Sequence, residues 1–277
     1  MRTKILSLLL AFLAISNVIC GQSYHATHSQ QFIKATNDLF GIKEEFKLEP
    51  EEDRKLSYNE NMLYVFNNQT ETDVEVGMLM DKAKFNHFNA KKQQNENFVD
   101  GYTWVFVLKN LKEVCDKKNI SITLNGEGTY TLDGKKGYEA TERLSKLLGI
   151  DLFPEHIYIC TFKVPIKSLF RPAYQTSVYK QLDKKELYNK DENKWKWDET
   201  GLSLVIPPKS ESNYEHLSPT QWLASLQKST EYPWTRMGYT YDWDVASTNH
   251  IGVSEFVIVP GTVITDVKFY KEAELAK

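Results

Sequence analysis

Residues 232–270, YPWTRMGYTYDWDVASTNHIGVSEFVIVPGTVITDVKFY, constrain this chain more than any other stretch. The first half places Trp234, Trp243, Tyr232, Tyr239 and Tyr241 beside Asp242 and Asp244. The second half reads as an apolar strand carrying one carboxylate, Glu255, then a Pro260-Gly261 turn and a second strand. If residues 251–258 form a strand, the period of two places Val253, Glu255 and Val257 on one face, and Phe256 and Ile258 on the other. A carboxylate among so many apolar neighbours sits either at a salt-bridged or solvated strand edge, or in a cleft with a chemical role.

Upstream, the pattern is one of strands in groups with short helices between them. Residues 62–66 (MLYVF), 102–108 (YTWVFVL), 156–164 (HIYICTFKV) and 202–206 (LSLVI) are rich in β-branched and aromatic side chains. Residues 121–124 and 129–132 flank Asn125-Gly126, a hairpin signal. Helices are expected near 29–46, at 110–117, at 139–148 before Gly149, and from Ser218-Pro219, where Ser caps and Pro takes the first helical position. Residues 82–97 read as a loop or exposed helix, and 168–178 as irregular. This order predicts an α+β fold: a largely antiparallel sheet with a few short helices, in a single compact domain.

The N-terminus bears on the compartment. A short basic start and the apolar run 5–15 precede small or polar residues, which reads as a cleaved secretory signal over residues 1–21. A membrane anchor and a lipoprotein attached through Cys20 are the competing readings. Residues 22–60 then form an N-terminal helix and linker, and residues 61–277 the α+β domain. No later stretch is apolar over a membrane-spanning length, so no integral membrane segment is expected after cleavage. In an oxidising compartment Cys115 and Cys160 either pair as a disulfide or stay as two buried thiols. Asn68-Gln69-Thr70 and Asn119-Ile120-Ser121 are acceptor sequons in a eukaryotic host.

Several functional classes drop out. A net charge of −3 gives no basic field for nucleic acid. The six histidines show no ligand spacing with carboxylates or cysteines, so no metal is expected. No nucleophile elbow, Walker loop or dinucleotide fingerprint is present. The aromatic stretch has two readings: a core corner whose Trp and Tyr find hydrogen bonds, or an exposed recognition surface built on Trp234, Arg236, Asp242 and Trp243.

The segment IGVSEFVIVPGTVITDVKF resembles the closing strands of mono-ADP-ribosyltransferase toxins of the cholera and heat-labile enterotoxin type, and residues 156–159 resemble a central strand of that fold. The resemblance implies a secreted, toxin-like enzyme that uses NAD as substrate. Glu255 would bind the nicotinamide ribose and stabilise an oxocarbenium-like transition state, and Tyr239 or Tyr241 would stack on the nicotinamide. The pattern also departs from the family's. Residues 63–66 carry no arginine, the nearest being Arg54, and Val253 stands where arginine-modifying members have a second glutamate. The alternative is a non-catalytic secreted module that binds a host protein, cell-surface receptor or glycan.

Overall fold

A computed structural model describes residues 31–36, 63–67, 71–94, 98–126, 128–135, 137–151, 158–179, 188–189, 194–195, 200–203, 218–226, 233–247 and 249–272. The strands are β1 (Asp73–Met80), β2 (Thr103–Val107), β3 (Ile122–Asn125), β4 (Thr129–Leu132), β5 (Tyr158–Pro165), β6 (Leu169–Phe170), β7 (Tyr188–Asn189), β8 (Lys194–Trp195), β9 (Tyr239–Tyr241), β10 (Ile251–Ile258) and β11 (Thr265–Glu272). Helix α1 covers 31–36, followed by α2 (Lys82–Gln93), α3 (Leu108–Lys117), α4 (Tyr138–Leu147), α5 (Thr200–Ser203) and α6 (Pro219–Leu226).

Nine strands form one sheet in the order β3-β4-β11-β5-β1-β2-β10-β6, with β9 attached to β10. Every pairing is antiparallel except β4 with β11. Strands β7 and β8 make a separate small hairpin. The expected α+β architecture with a largely antiparallel sheet in one compact domain is therefore what the chain adopts.

The sheet is covered on both faces. On the first, Val76 and Met78 of β1, Val105 and Val107 of β2, Phe162 of β5 and Phe256 of β10 share a core with Phe88 of α2. On the second, Phe106, Ile159 and Val253 pack under Leu111 and Cys115 of α3 and Leu144 and Leu147 of α4. This two-sided burial explains the largely apolar reading of β2 and β10, in which Trp104 alone is exposed.

The central strand β1 has no such signal. Its sequence DVEVGMLM carries two acids at the start and a glycine in the middle, so the strand pattern is interrupted. Gly77 lies opposite Phe106, and a Cβ there would stand 2.5 Å from the Phe106 ring. The glycine makes room for a ring laid across the strand.

Residues 63–67 are extended but join no ladder, in contrast to the strand expected at 62–66. Among their links are a bond from Phe66 N–H to the Val178 carbonyl (3.0 Å) and one from Tyr64 N–H to Ser254 Oγ (2.8 Å). The strand expected at 202–206 is also revised: residues 200–203 form helix α5, with the Gly201 N–H on Thr176 Oγ1, and 204–206 lie outside the described residues. The Ser218 cap forms as expected. Its hydroxyl accepts from Gln221 N–H while the Gln221 side chain accepts from Ser218 N–H, a reciprocal capping box.

Arg171, fully buried just after β6, joins these pieces. Its guanidinium donates to the Tyr64 carbonyl at 2.8 Å, and at longer range to Gly238 (3.4 Å) and Ser177 (3.5 Å). It also lies 4.8 Å from the centre of the Phe256 ring. Replacing Arg171 with Met keeps much of the volume but leaves buried carbonyls without their donor, so Arg171→Met is expected to cost about 2–4 kcal/mol. A urea midpoint equal to that of the unaltered protein would show that this clamp adds nothing to stability.

Candidate functional site

Glu255 sits on β10, a strand whose eight residues are all buried. Its backbone N–H donates to the Gly238 carbonyl at 3.0 Å, and Phe106 is its partner across to β2. Two side chains take over the ladder just before it: Thr240 Oγ1 accepts from Val253 N–H at 3.0 Å, and Asn110 Oδ1 from Ser254 N–H at 2.8 Å. The β9 register shifts in the same place, between Ile251 and Ser254. Such an irregularity rotates the strand locally, and here it fixes where the Glu255 side chain points.

That side chain is 6% exposed and belongs to the second face, with Val253 and Val257. It stands at the seam between two apolar clusters. Val253 belongs to the cluster under α3 and α4, and Val257 to one built with Phe170, Leu223 and Trp234. In the β2–β10 register, Trp104 pairs with Val257 and Phe106 with Glu255. Trp104 is thus the diagonal neighbour of Glu255, about 7–8 Å away along the sheet.

Trp104 is 36% exposed and meets Trp222 (5.9 Å) and Trp234 (6.2 Å) ring to ring. Trp222 in turn stacks on Tyr102 at 4.7 Å and 26°. The result is an aromatic wall beside a buried carboxylate. Its signal was present in the sequence, because the alternation in TWVFV puts Trp104 and Phe106 on one face of the strand.

The tyrosines expected beside Glu255 lie on β9. Tyr239 pairs with Ser254, whose side chain lies on the Phe256 face and accepts from Tyr64 N–H. Tyr241 pairs with Ile251 beyond the register shift, and both tyrosines are buried, with Tyr241 stacked on His250 at 5.1 Å. Thr240 between them points the other way and donates to the Leu147 carbonyl of α4. Tyr239 thus stands opposite Ser254, one residue before Glu255 on β10.

Trp234, Arg236, Asp242 and Trp243, expected as an exposed recognition surface or a core corner, are all buried. Trp234 Nε1 donates to the Pro172 carbonyl and Trp243 Nε1 to the Ile150 carbonyl. Arg236 takes a left-handed backbone (φ 62°), lies 5.1 Å from the Trp234 ring and hydrogen-bonds Tyr174. Burial pushes the Tyr174 phenol up to about 12 against the pull of Arg236. The core-corner reading describes these side chains.

Asp242 is the most connected of them. Arg143 of α4 grips it with two bonds (2.9 and 3.0 Å), Lys118 at the end of α3 approaches to 3.0 Å, and the Ser247 hydroxyl donates at 3.0 Å. His250 Nδ1 lies 2.7 Å from the Asp242 carbonyl. The residues sequence reasoning missed here are Arg143 and Lys118, which lie about a hundred positions away on helices and leave no local trace.

Cys115 and Cys160 are free and buried, so the pairing is corrected. Cys115 lies in the cluster on the second face and Cys160 in that on the first, with the sheet between them. Burial pushes both thiols up to about 12, which leaves neither a ready thiolate. Among the described residues no group of His, Cys, Asp and Glu side chains could hold a metal ion, and no helix is long and apolar enough to cross a membrane. Arg54, His156, Trp197 and the Asn68 sequon lie outside the described residues.

No protein-family model, no curated protein and no solved structure matches the chain.

The Asp242 network makes a pH prediction. Burial works to raise its carboxyl, but Arg143 and Lys118 outweigh that and hold it below the usual carboxylate range. With the folded value depressed, the stabilisation is present above the unfolded value of about 4 and is lost as pH falls through the folded one. Asp242→Asn is therefore expected to cost about 2–3 kcal/mol at neutral pH, since it takes the buried anion from two partly buried cations. In denaturant titrations the gap from the unaltered protein should close below about pH 4; a gap independent of pH would rule out this network as its source.

Proposed function

We propose that the chain is a secreted enzyme that cleaves the N-glycosidic bond of NAD and transfers ADP-ribose to water or to a nucleophile on a target protein, with Glu255 as its catalytic carboxylate. The observation that carries this reading is the placement of Glu255 on a wholly buried strand, on the same face as the part-exposed Trp104 and one diagonal step from it. A carboxylate buried among apolar groups is costly, and such positions concentrate where chemistry needs them.

In this reading the bond between the ribose anomeric carbon and the nicotinamide nitrogen breaks, and its electron pair leaves with nicotinamide. The positive charge that develops on the ribose is stabilised by the Glu255 carboxylate in surroundings poor in water. The acceptor then bonds to the anomeric carbon and gives up its proton. Trp104 supplies the flat apolar surface for a planar ring. The seal around Glu255 comes from Phe106 and the flanking valines.

The competing reading, a receptor- or glycan-binding module, was drawn from Trp234, Arg236, Asp242 and Trp243 as surface anchors. Their burial favours the enzyme. Residues 1–21 serve in this proposal as the export signal.

The test is NAD consumption by the processed protein, with a cell lysate as a source of acceptors. Glu255→Gln is expected to lower turnover about 10²- to 10³-fold while leaving circular dichroism unchanged. Trp104→Ala is expected to raise KM for NAD about tenfold with a smaller effect on kcat, in keeping with a lost stacking contact. Absence of turnover together with absence of calorimetric NAD binding would sink the proposal and return the binding module to first place.

A further inference from the structure

The sequon Asn119-Ile120-Ser121 coincides with the end of α3, and the fold decides which of its three side chains meets solvent. Ile120 N–H donates back to the Cys115 carbonyl at 2.8 Å, and Asn119 N–H to the Asp116 carbonyl at 3.0 Å. These are the two bonds of a Schellman motif, with Asn119 in the left-handed position at φ 55°. The motif wants an apolar residue next, and Ile120 is buried beside Cys115 in the core under α3.

Pinning Ile120 inward turns both flanking residues outward. Asn119 and Ser121 are exposed, and neither side chain makes a hydrogen bond among the described residues. The Ser121 backbone is held instead: its N–H donates to Asp133 Oδ1 at 2.7 Å, and its carbonyl accepts from Asp133 N–H at 2.7 Å. The acceptor amide and the hydroxyl that an oligosaccharide transferase reads thus stand free on a backbone fixed at both ends.

The next residue starts β3, the terminal strand of the nine-stranded sheet, whose outer edge has no strand partner among the described residues. An open edge is a template for pairing with another chain, and a bulky hydrophilic group beside it prevents that.

We propose that Asn119 carries an N-linked oligosaccharide that shields the open edge of β3. Asn119 Nδ2 loses a proton and bonds to the anomeric carbon of an oligosaccharide borne on a lipid diphosphate. The carbon–oxygen bond to the diphosphate breaks, and the lipid diphosphate leaves with the electron pair. This rests on the export reading of residues 1–21 and is independent of any reaction at Glu255.

The experiment expresses the full chain in secreting animal cells and maps peptides of the secreted protein before and after peptide-N-glycosidase, which leaves aspartate where a glycan stood. The Asn119 peptide is expected to carry glycan, and Ser121→Ala to abolish it. That variant leaves Asn119 and its helix cap untouched, so loss of glycan cannot be assigned to a damaged turn. Light scattering of the Ser121→Ala protein should show more self-association than the glycosylated form. Secreted protein with an unmodified Asn119 peptide overturns the site, and a glycan-free variant that remains equally monodisperse overturns the shielding role. A chain retained in the cell with residues 1–21 still attached overturns the export reading, and with it this proposal, without bearing on NAD cleavage.

Discussion

A single carbonyl, that of Gly238, ties the strand that carries Glu255 to the buried guanidinium of Arg171. It accepts from the backbone of Glu255 and from the guanidinium of Arg171. The position has to be glycine: φ is 90°, and a Cβ would stand 2.6 Å from Arg171 Cδ. Arg171 reaches on to Tyr64 and Ser177 and lies against Phe256. Phe256 follows Glu255 on the strand, so the cation occupies one face of β10 and the carboxylate the other. The carbonyls of Tyr64, Ser177 and Gly238 receive from that cation hydrogen bonds that nothing apolar replaces.

The two faces of the sheet have different work as a consequence. The first is a dry core of side chains from β1, β2, β5 and β10 beneath α2. The second holds α3 and α4 and, beyond them, the seam where Glu255 meets Trp104. Asn110 at the start of α3 and Thr240 of β9 reach the backbone of β10 from different elements. The aim of Glu255 is therefore set by the packing of a helix and an edge strand together, and not by the ladder alone.

How far the sequence disclosed this depends on whether each partner is near in the chain. The β3–β4 hairpin was legible because its turn residues, Asn125 and Gly126, lie between its strands. Strands β2, β5 and β10 were legible because burial leaves long apolar runs. β1 was not, because Asp73, Glu75 and Gly77 obscure a strand whose pairing with Phe106 demands the glycine. Residues 62–66 looked like a strand, yet 63–67 lie off the sheet, since apolar composition does not say which neighbour supplies hydrogen bonds. At the site, Glu255 and the face it shares with Val253 and Val257 could be read from a period of two. The side on which Tyr239 and Tyr241 fall could not, because β9 joins through a register shift. The burial of Asp242 depends on Arg143 and Lys118, which only the folded chain brings to it.

The parallel pair in an otherwise antiparallel sheet has a bearing on how the protein is made. β11, the last of the described strands in sequence, is not at a margin but lies between β4 and β5. Until it emerges, the β3–β4 hairpin has no seat on the sheet, and one side of β5 stays bare. Closure waits on contacts between distant parts of the chain, the kind whose loop entropy makes folding slow. Among the described strands, the sheet is thus complete only once the most C-terminal one has slid into the gap between β4 and β5.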